Sequence, residues 1–62
     1  PAPIIIESDV PAHEAARLML THNISALPVM RGETLVGIVT TSDLLVAFMT
    51  LTKKSNLNKY LD

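Results

Sequence analysis

Apolar positions along this chain change their spacing from one segment to the next. Ile4-Ile5-Ile6 is a β-branched run bounded by Pro3 and by Glu7-Ser8-Asp9, which predicts a short buried strand over residues 4–6. From residue 12 the period lengthens. Ala12, Ala15, Ala16, Met19 and Asn23 fall on one i, i+3, i+4 line, so a helix is expected over 12–22. The small residues on that line would let it lie close against a sheet. Pro11 suits the first turn, Glu14 suits the positive end of the dipole, and Asn23 is a left-handed stop. Residues 26–30 and 35–39 read as two further strands around a turn at 31–33, with Pro28 near the start of its strand or on an edge. Both are apolar on successive residues, which predicts cover on both faces. Residues 40–43 then open a second helix running to about residue 51. The order β-α-β-β-α gives an α+β fold with a three-stranded sheet and two helices.

The second helix departs most from an ordinary surface pattern. Leu44, Leu45, Val46, Ala47, Phe48, Met49 and Leu51 leave no polar stripe through two turns. A helix that is apolar all round is buried on more than one side. With 62 residues, 48% of them hydrophobic, the chain lacks the material to cover both sides of its last helix. A domain of this size buries only about 60% of its unfolded surface, and its core rarely supplies more than about 3–5 kcal/mol. One side of the helix should therefore meet its own sheet and the other a second domain or subunit, so a lone monomer is not expected.

Charge narrows the partners. Five Lys and Arg against six Asp and Glu give a net charge of −1, too little basic field to hold nucleic acid. The distribution is uneven: residues 1–51 sum to −3, whereas residues 52–62, with Lys53, Lys54, Lys59 and Asp62, sum to +2 and read as a polar, weakly basic tail. The longest apolar run, residues 44–49, is far below the roughly 20 residues a membrane-spanning helix needs. Absence of cysteine is compatible with a reducing compartment, and the expected location is cytoplasmic. The start at Pro1-Ala2-Pro3, without an initiator Met, suggests a segment of something longer.

No catalytic arrangement emerges. His13 and His22 have no carboxylate or thiolate at ligand spacing. No nucleophile sits on an elbow turn beside an oriented base. Gly32 and Gly37 cannot build a phosphate-cradling loop. An enzyme is not expected. What remains is Gly37-Ile38-Val39-Thr40-Thr41-Ser42-Asp43, where a strand ends, hydroxyls cluster and a helix begins. Thr40 and Asp43 have the spacing of a capping box, with Asp in place of Glu or Gln. The same geometry suits a ligand: a helix N-terminus offers amides and a positive dipole end to phosphate, and an acceptor-only carboxylate suits vicinal ribose hydroxyls. Both readings stay open on spacing alone.

Taken together, Ala15-Ala16-Arg17-Leu18-Met19, Asn23-Ile24-Ser25-Ala26-Leu27-Pro28-Val29 and the segment from Leu35 to Leu45 resemble a CBS domain, the cystathionine-β-synthase regulatory module. The resemblance implies a single repeat over residues 1–51 of a unit normally built as a tandem pair, its partner a second repeat in the parent chain or in a homodimer. It implies regulation by an adenosine-containing ligand (AMP, ADP, ATP or S-adenosylmethionine) held in a cleft between paired repeats. Carried over by position, Asp43 would accept the ribose hydroxyls and Thr40 and Ser42 would bond the phosphate. Ile24, Ser25 and Ala26 would frame the adenine, with Ile4 and Ile5 nearby. The chain departs from nucleotide-binding members at Val10, where they often carry Thr or Ser, confining any contact there to backbone. The alternative from a different class is a purely structural dimerisation module, in which Thr40 and Asp43 only cap a helix.

Overall fold

A computed structural model of the chain describes residues 3–62; Pro1 and Ala2, where the Pro-Ala-Pro start lies, are outside the described residues. Five elements make the repeat: β1 (Ile6–Glu7), α1 (Ala12–His22), β2 (Ala26–Arg31), β3 (Thr34–Thr40) and α2 (Thr41–Leu51). The expected β-α-β-β-α order is present. The sheet runs β1-β2-β3, with β1 parallel to β2 and β2 antiparallel to β3.

Local chemistry sets most of the boundaries. Pro11 precedes α1 as its N-cap, one position earlier than a first-turn proline, and its carbonyl accepts the Glu14 amide at 3.0 Å. Asn23 ends α1 in the left-handed conformation at φ 52°, as its side chain permits. Arg31 pairs with Thr34, so the hairpin turns on only two residues, Gly32 and Glu33. Gly32 sits at φ 60°, which a two-residue turn demands and a side chain would oppose. The Gly32 amide also donates to the Glu7 carboxylate at 3.1 Å, tying the turn to the end of β1.

The first strand differs from the expected 4–6. It is Ile6–Glu7, and Ile4 and Ile5 lie outside it. The reason is on the neighbouring strand. The Ser8 amide donates to the Met30 carbonyl at 2.8 Å, so the even-numbered residues of β2 direct their backbone groups towards β1. Pro28 shares that parity and has no N–H, so the amide that would extend the ladder back to Ile4 is missing. Pairing therefore begins at Ile6 with Val29. Proline stands inside the central strand where that strand's β1 side is unpaired.

Ile6, Ala15, Met19 and Leu27 form the buried core, with Ile4, Leu18, Ile24, Val29, Val39 and Leu44 packed round it. Leu27 is wholly enclosed. Cover on both faces of the sheet is not realised within the chain. Leu27 and Val29 lie opposite Val39 and Gly37 on the helix side, while Pro28 and Met30 lie opposite Ile38 and Leu35 on the other. Ile38 is 60% exposed and Leu35 57%. Two helices suffice for one face only. α2 is likewise half covered: Leu44 is partly buried, but Leu45, Val46, Met49 and Leu51 stand in solvent, as its all-round apolar sequence foretells.

Residues 52–62, largely exposed, carry some local structure. The Ser55 amide donates to the Thr52 carbonyl at 2.9 Å, turning the chain back immediately after α2. A short 3₁₀ helix follows at Leu57–Tyr60, its first turn held by the Asn58 amide on the Asn56 side chain at 3.1 Å. Tyr60 then meets Phe48 of α2 edge to face, ring centroids 5.1 Å apart.

Truncating the enclosed side chain should be decisive for so small a core. Leu27→Ala is expected to cost about 2–5 kcal/mol, comparable with everything a core of this size supplies. Leu20→Ala, at a position 84% exposed, should stay within about 0.5 kcal/mol of the parent. Urea unfolding followed by far-UV circular dichroism measures both; a Leu27→Ala protein as stable as Leu20→Ala would contradict this account of the core.

Candidate functional site

The segment joining α1 to β2 and the start of α2 are brought together by backbone. The Thr41 amide, first of α2, donates to the Ser25 carbonyl at 3.0 Å. Ala26 pairs with Thr40 across the β2–β3 ladder. Residues 24–26 and 40–43, separated by more than a dozen positions of chain, thus lie side by side.

The N-terminus of α2 is closed by the capping box that its spacing predicts. The Asp43 amide donates to the Thr40 hydroxyl oxygen at 3.2 Å, and the Thr40 amide donates to the Asp43 carboxylate at 2.9 Å. Asp fills the role usual for Glu or Gln because its shorter reach still spans three residues to the N-cap amide. One carboxylate oxygen of Asp43, Oδ2, is engaged here. Ser42 and Asp43 are exposed and Thr40 is half-buried.

Beside this junction a cleft of about 560 Å³ opens between the two helices. Ala16, Met19 and Leu20 of α1 form one wall, and Leu44, Leu45 and Phe48 of α2 the other. Ile24, Ser25 and Thr41 lie along its length with Asn23. The lining is chiefly apolar, with hydroxyls only at Ser25 and Thr41, which suits a flat ring better than a charged group. Alanine at position 16 keeps the α1 wall low.

Of the expected site residues, Ile24 and Ser25 line this cleft. Ala26, Thr40, Ser42 and Asp43 do not, although each adjoins in sequence a residue that does. Ile4 packs on the core and Ile5 is 47% exposed, and neither lines the cleft. Thr41 was not among the expected site residues. Its signal was the hydroxyl at the first helical position, between two residues already singled out. Ala16 and Phe48 were legible only as helix positions and Leu20 was not singled out, since a wall shared by two helices follows from their packing.

The titrating groups displaced from their ordinary range lie elsewhere. On α1 the Arg17 guanidinium donates to Glu14, holding that carboxyl below its usual value, and Arg17 is raised in turn. No group of three or more His, Asp or Glu side chains able to hold a metal occurs among the described residues.

A family model, that of the CBS domain, matches residues 1–50. The chain is a CBS domain. The match covers most of the 62 residues and both segments that meet at the Ser25–Thr41 bond. No curated protein matches the chain at a significant level. CBS domains are regulatory modules rather than catalytic ones, and their repeats typically pair. No helix among the described residues is long and apolar enough to cross a membrane.

The capping box makes a stability prediction independent of any ligand. Thr40→Ala removes the N-cap acceptor and should cost about 1 kcal/mol, lowering the thermal midpoint by roughly 4–8 °C. Thermal unfolding by circular dichroism reads the difference. An unchanged midpoint would mean that the box does not hold α2.

Proposed function

We propose that this CBS repeat senses an adenosine-containing ligand, AMP, ADP, ATP or S-adenosylmethionine, in a cleft completed by a second repeat. The observation that carries the reading is the Ser25–Thr41 backbone bond, which sets an apolar, small-residue segment against a hydroxyl-rich helix start. Ile24, Ser25 and Ala26 frame the adenine, Thr40 and Ser42 bond the phosphate, and Asp43 accepts the ribose hydroxyls. Ile4 and Ile5 approach the ring from the chain leading into β1. No catalytic step is assigned to the module, which works in the cytoplasm on an attached enzyme, channel or transporter. The bare sheet face and the outer side of α2 receive the partner repeat, in the same parent chain or in a homodimer. A ligand held by two repeats favours the relative arrangement that it fits, and regulation follows from that shift in population.

A second reading has its own support. The capping box engages both Thr40 and Asp43 within the helix, which is what a purely structural dimerisation module requires of them. The two readings differ in whether an adenosyl ligand stabilises the fold.

Ligand at 100 times its dissociation constant stabilises by about 2.7 kcal/mol, which in a domain of this size raises the melting midpoint by roughly 10–20 °C. Melting with and without AMP, ADP, ATP and S-adenosylmethionine therefore separates the readings. Asp43→Ala should abolish the ligand-induced rise, compared within that variant because losing the cap lowers its baseline. No rise with any of the four at millimolar concentration leaves the structural module. A rise undiminished in Asp43→Ala places the ribose on other groups.

A further inference from the structure

The chain has three methionines, and they stand in three different surroundings. Met19 is 3% exposed, inside the core. Met30 is half-buried on the outer face of the sheet, opposite Leu35. Met49 is 68% exposed on α2. Leu45 and Val46 lie one turn before it on the same side of the helix and are 63% and 61% exposed. The three form one apolar patch that ends in a thioether. Leu44, the α2 residue packed against the core, is five positions back and so lies towards the opposite side of the helix. The most accessible sulfur of the chain therefore sits on the outer side of α2.

We propose that Met49 is a site of reversible oxidation through which hydrogen peroxide weakens pairing of the repeat. The thioether sulfur attacks one peroxide oxygen. An S–O bond forms, the O–O bond breaks, and the departing hydroxide takes the remaining proton and leaves as water. Methionine is oxidised to the sulfoxide and peroxide is reduced by the same two electrons. A dithiol reductant reverses the step: the oxygen leaves as water and the dithiol becomes a disulfide. Reaction follows access, which separates Met49 from Met19. The product places a polar S–O group in a patch where Leu45 and Val46 offer its oxygen no donor, so covering that patch leaves an acceptor unsatisfied. The unpaired repeat is the form that reacts, and its product is the form that pairs poorly. The effect on pairing rests on the reading that the outer side of α2 receives a partner repeat; the reactivity of Met49 does not.

The test uses the full chain and hydrogen peroxide. Trypsin cuts after Arg17, Arg31 and Lys53 leave Met49 alone in peptide 32–53, with Met19 and Met30 together in 18–31, where fragmentation separates them. Mass spectrometry thus follows each sulfur by its gain of one oxygen. Met49 should react at least about tenfold faster than Met19. With Met49 oxidised, self-association measured by sedimentation equilibrium should weaken about tenfold and recover on treatment with methionine sulfoxide reductases and a dithiol. Met49→Leu, which keeps volume and apolarity, should associate like the parent both before and after peroxide. Oxidation of Met49 no faster than that of Met19 overturns the proposal. So does association unchanged by the sulfoxide, or a loss that persists in Met49→Leu, which would place the sensitivity at Met30. A parent chain that stays monomeric up to millimolar concentration rejects the pairing reading and this inference with it. A parent that associates equally well in both oxidation states rejects the oxidation inference alone.

Discussion

Leu27 is enclosed on every side, and the material that encloses it is nearly the whole chain. β1 and β3 flank it in the sheet, α1 supplies Ala15 and Met19 across it, and Val39 and Leu44 close the remaining approach. Everything else in the fold is arranged round that one residue. The hairpin exists to bring Val39 opposite it. The parallel entry of β1 delivers Ile6 to it, tethered by Glu7 to the hairpin turn. A core so small is complete in one direction only, because two helices can cover a single face of a three-stranded sheet.

That asymmetry is what connects stability to function. Two of the uncovered apolar surfaces are the outer face of β2 and β3 and the outer side of α2. Burial of such surface contributes about 25 cal/mol per Å², so a partner that covered it would add stability on the scale of the core itself. The repeat therefore gains from pairing what its own length denies it. On the proposed function, a ligand at the Ser25–Thr41 junction, close to α2, would need only to prefer one arrangement of the pair over another. Under the proposed function, the same exposed helix that weakens the lone repeat is the element through which occupancy would be communicated.

What was legible in the sequence follows the range of the interactions involved. The ends of α1, the stop at Asn23 and the capping box at Thr40 and Asp43 depend on residues three or four apart, and all are as the spacing predicts. The start of β1 was misplaced because its limit is set by a proline 24 positions away from Ile4 on a neighbouring strand. Cover for both sheet faces was expected from unbroken apolar runs, which record that a face is meant to be buried without saying which chain buries it. The contact between Phe48 and Tyr60 escaped notice because an aromatic pair twelve residues apart follows no helical period. Residues 40–43 were singled out by their hydroxyls and capping spacing and residues 24–26 by resemblance, and the backbone bond that joins the two segments is what the fold adds. Thr41, lying between residues already identified, was passed over.

The dependence of thermal stability on protein concentration tests the central claim, that this repeat is stabilised by covering its bare faces with another. If pairing supplies stability, the midpoint rises as the chain is concentrated, since association draws the equilibrium towards the folded state. The account predicts a steady rise from micromolar to millimolar protein. A midpoint independent of concentration over that range, with the chain monomeric throughout, would contradict it.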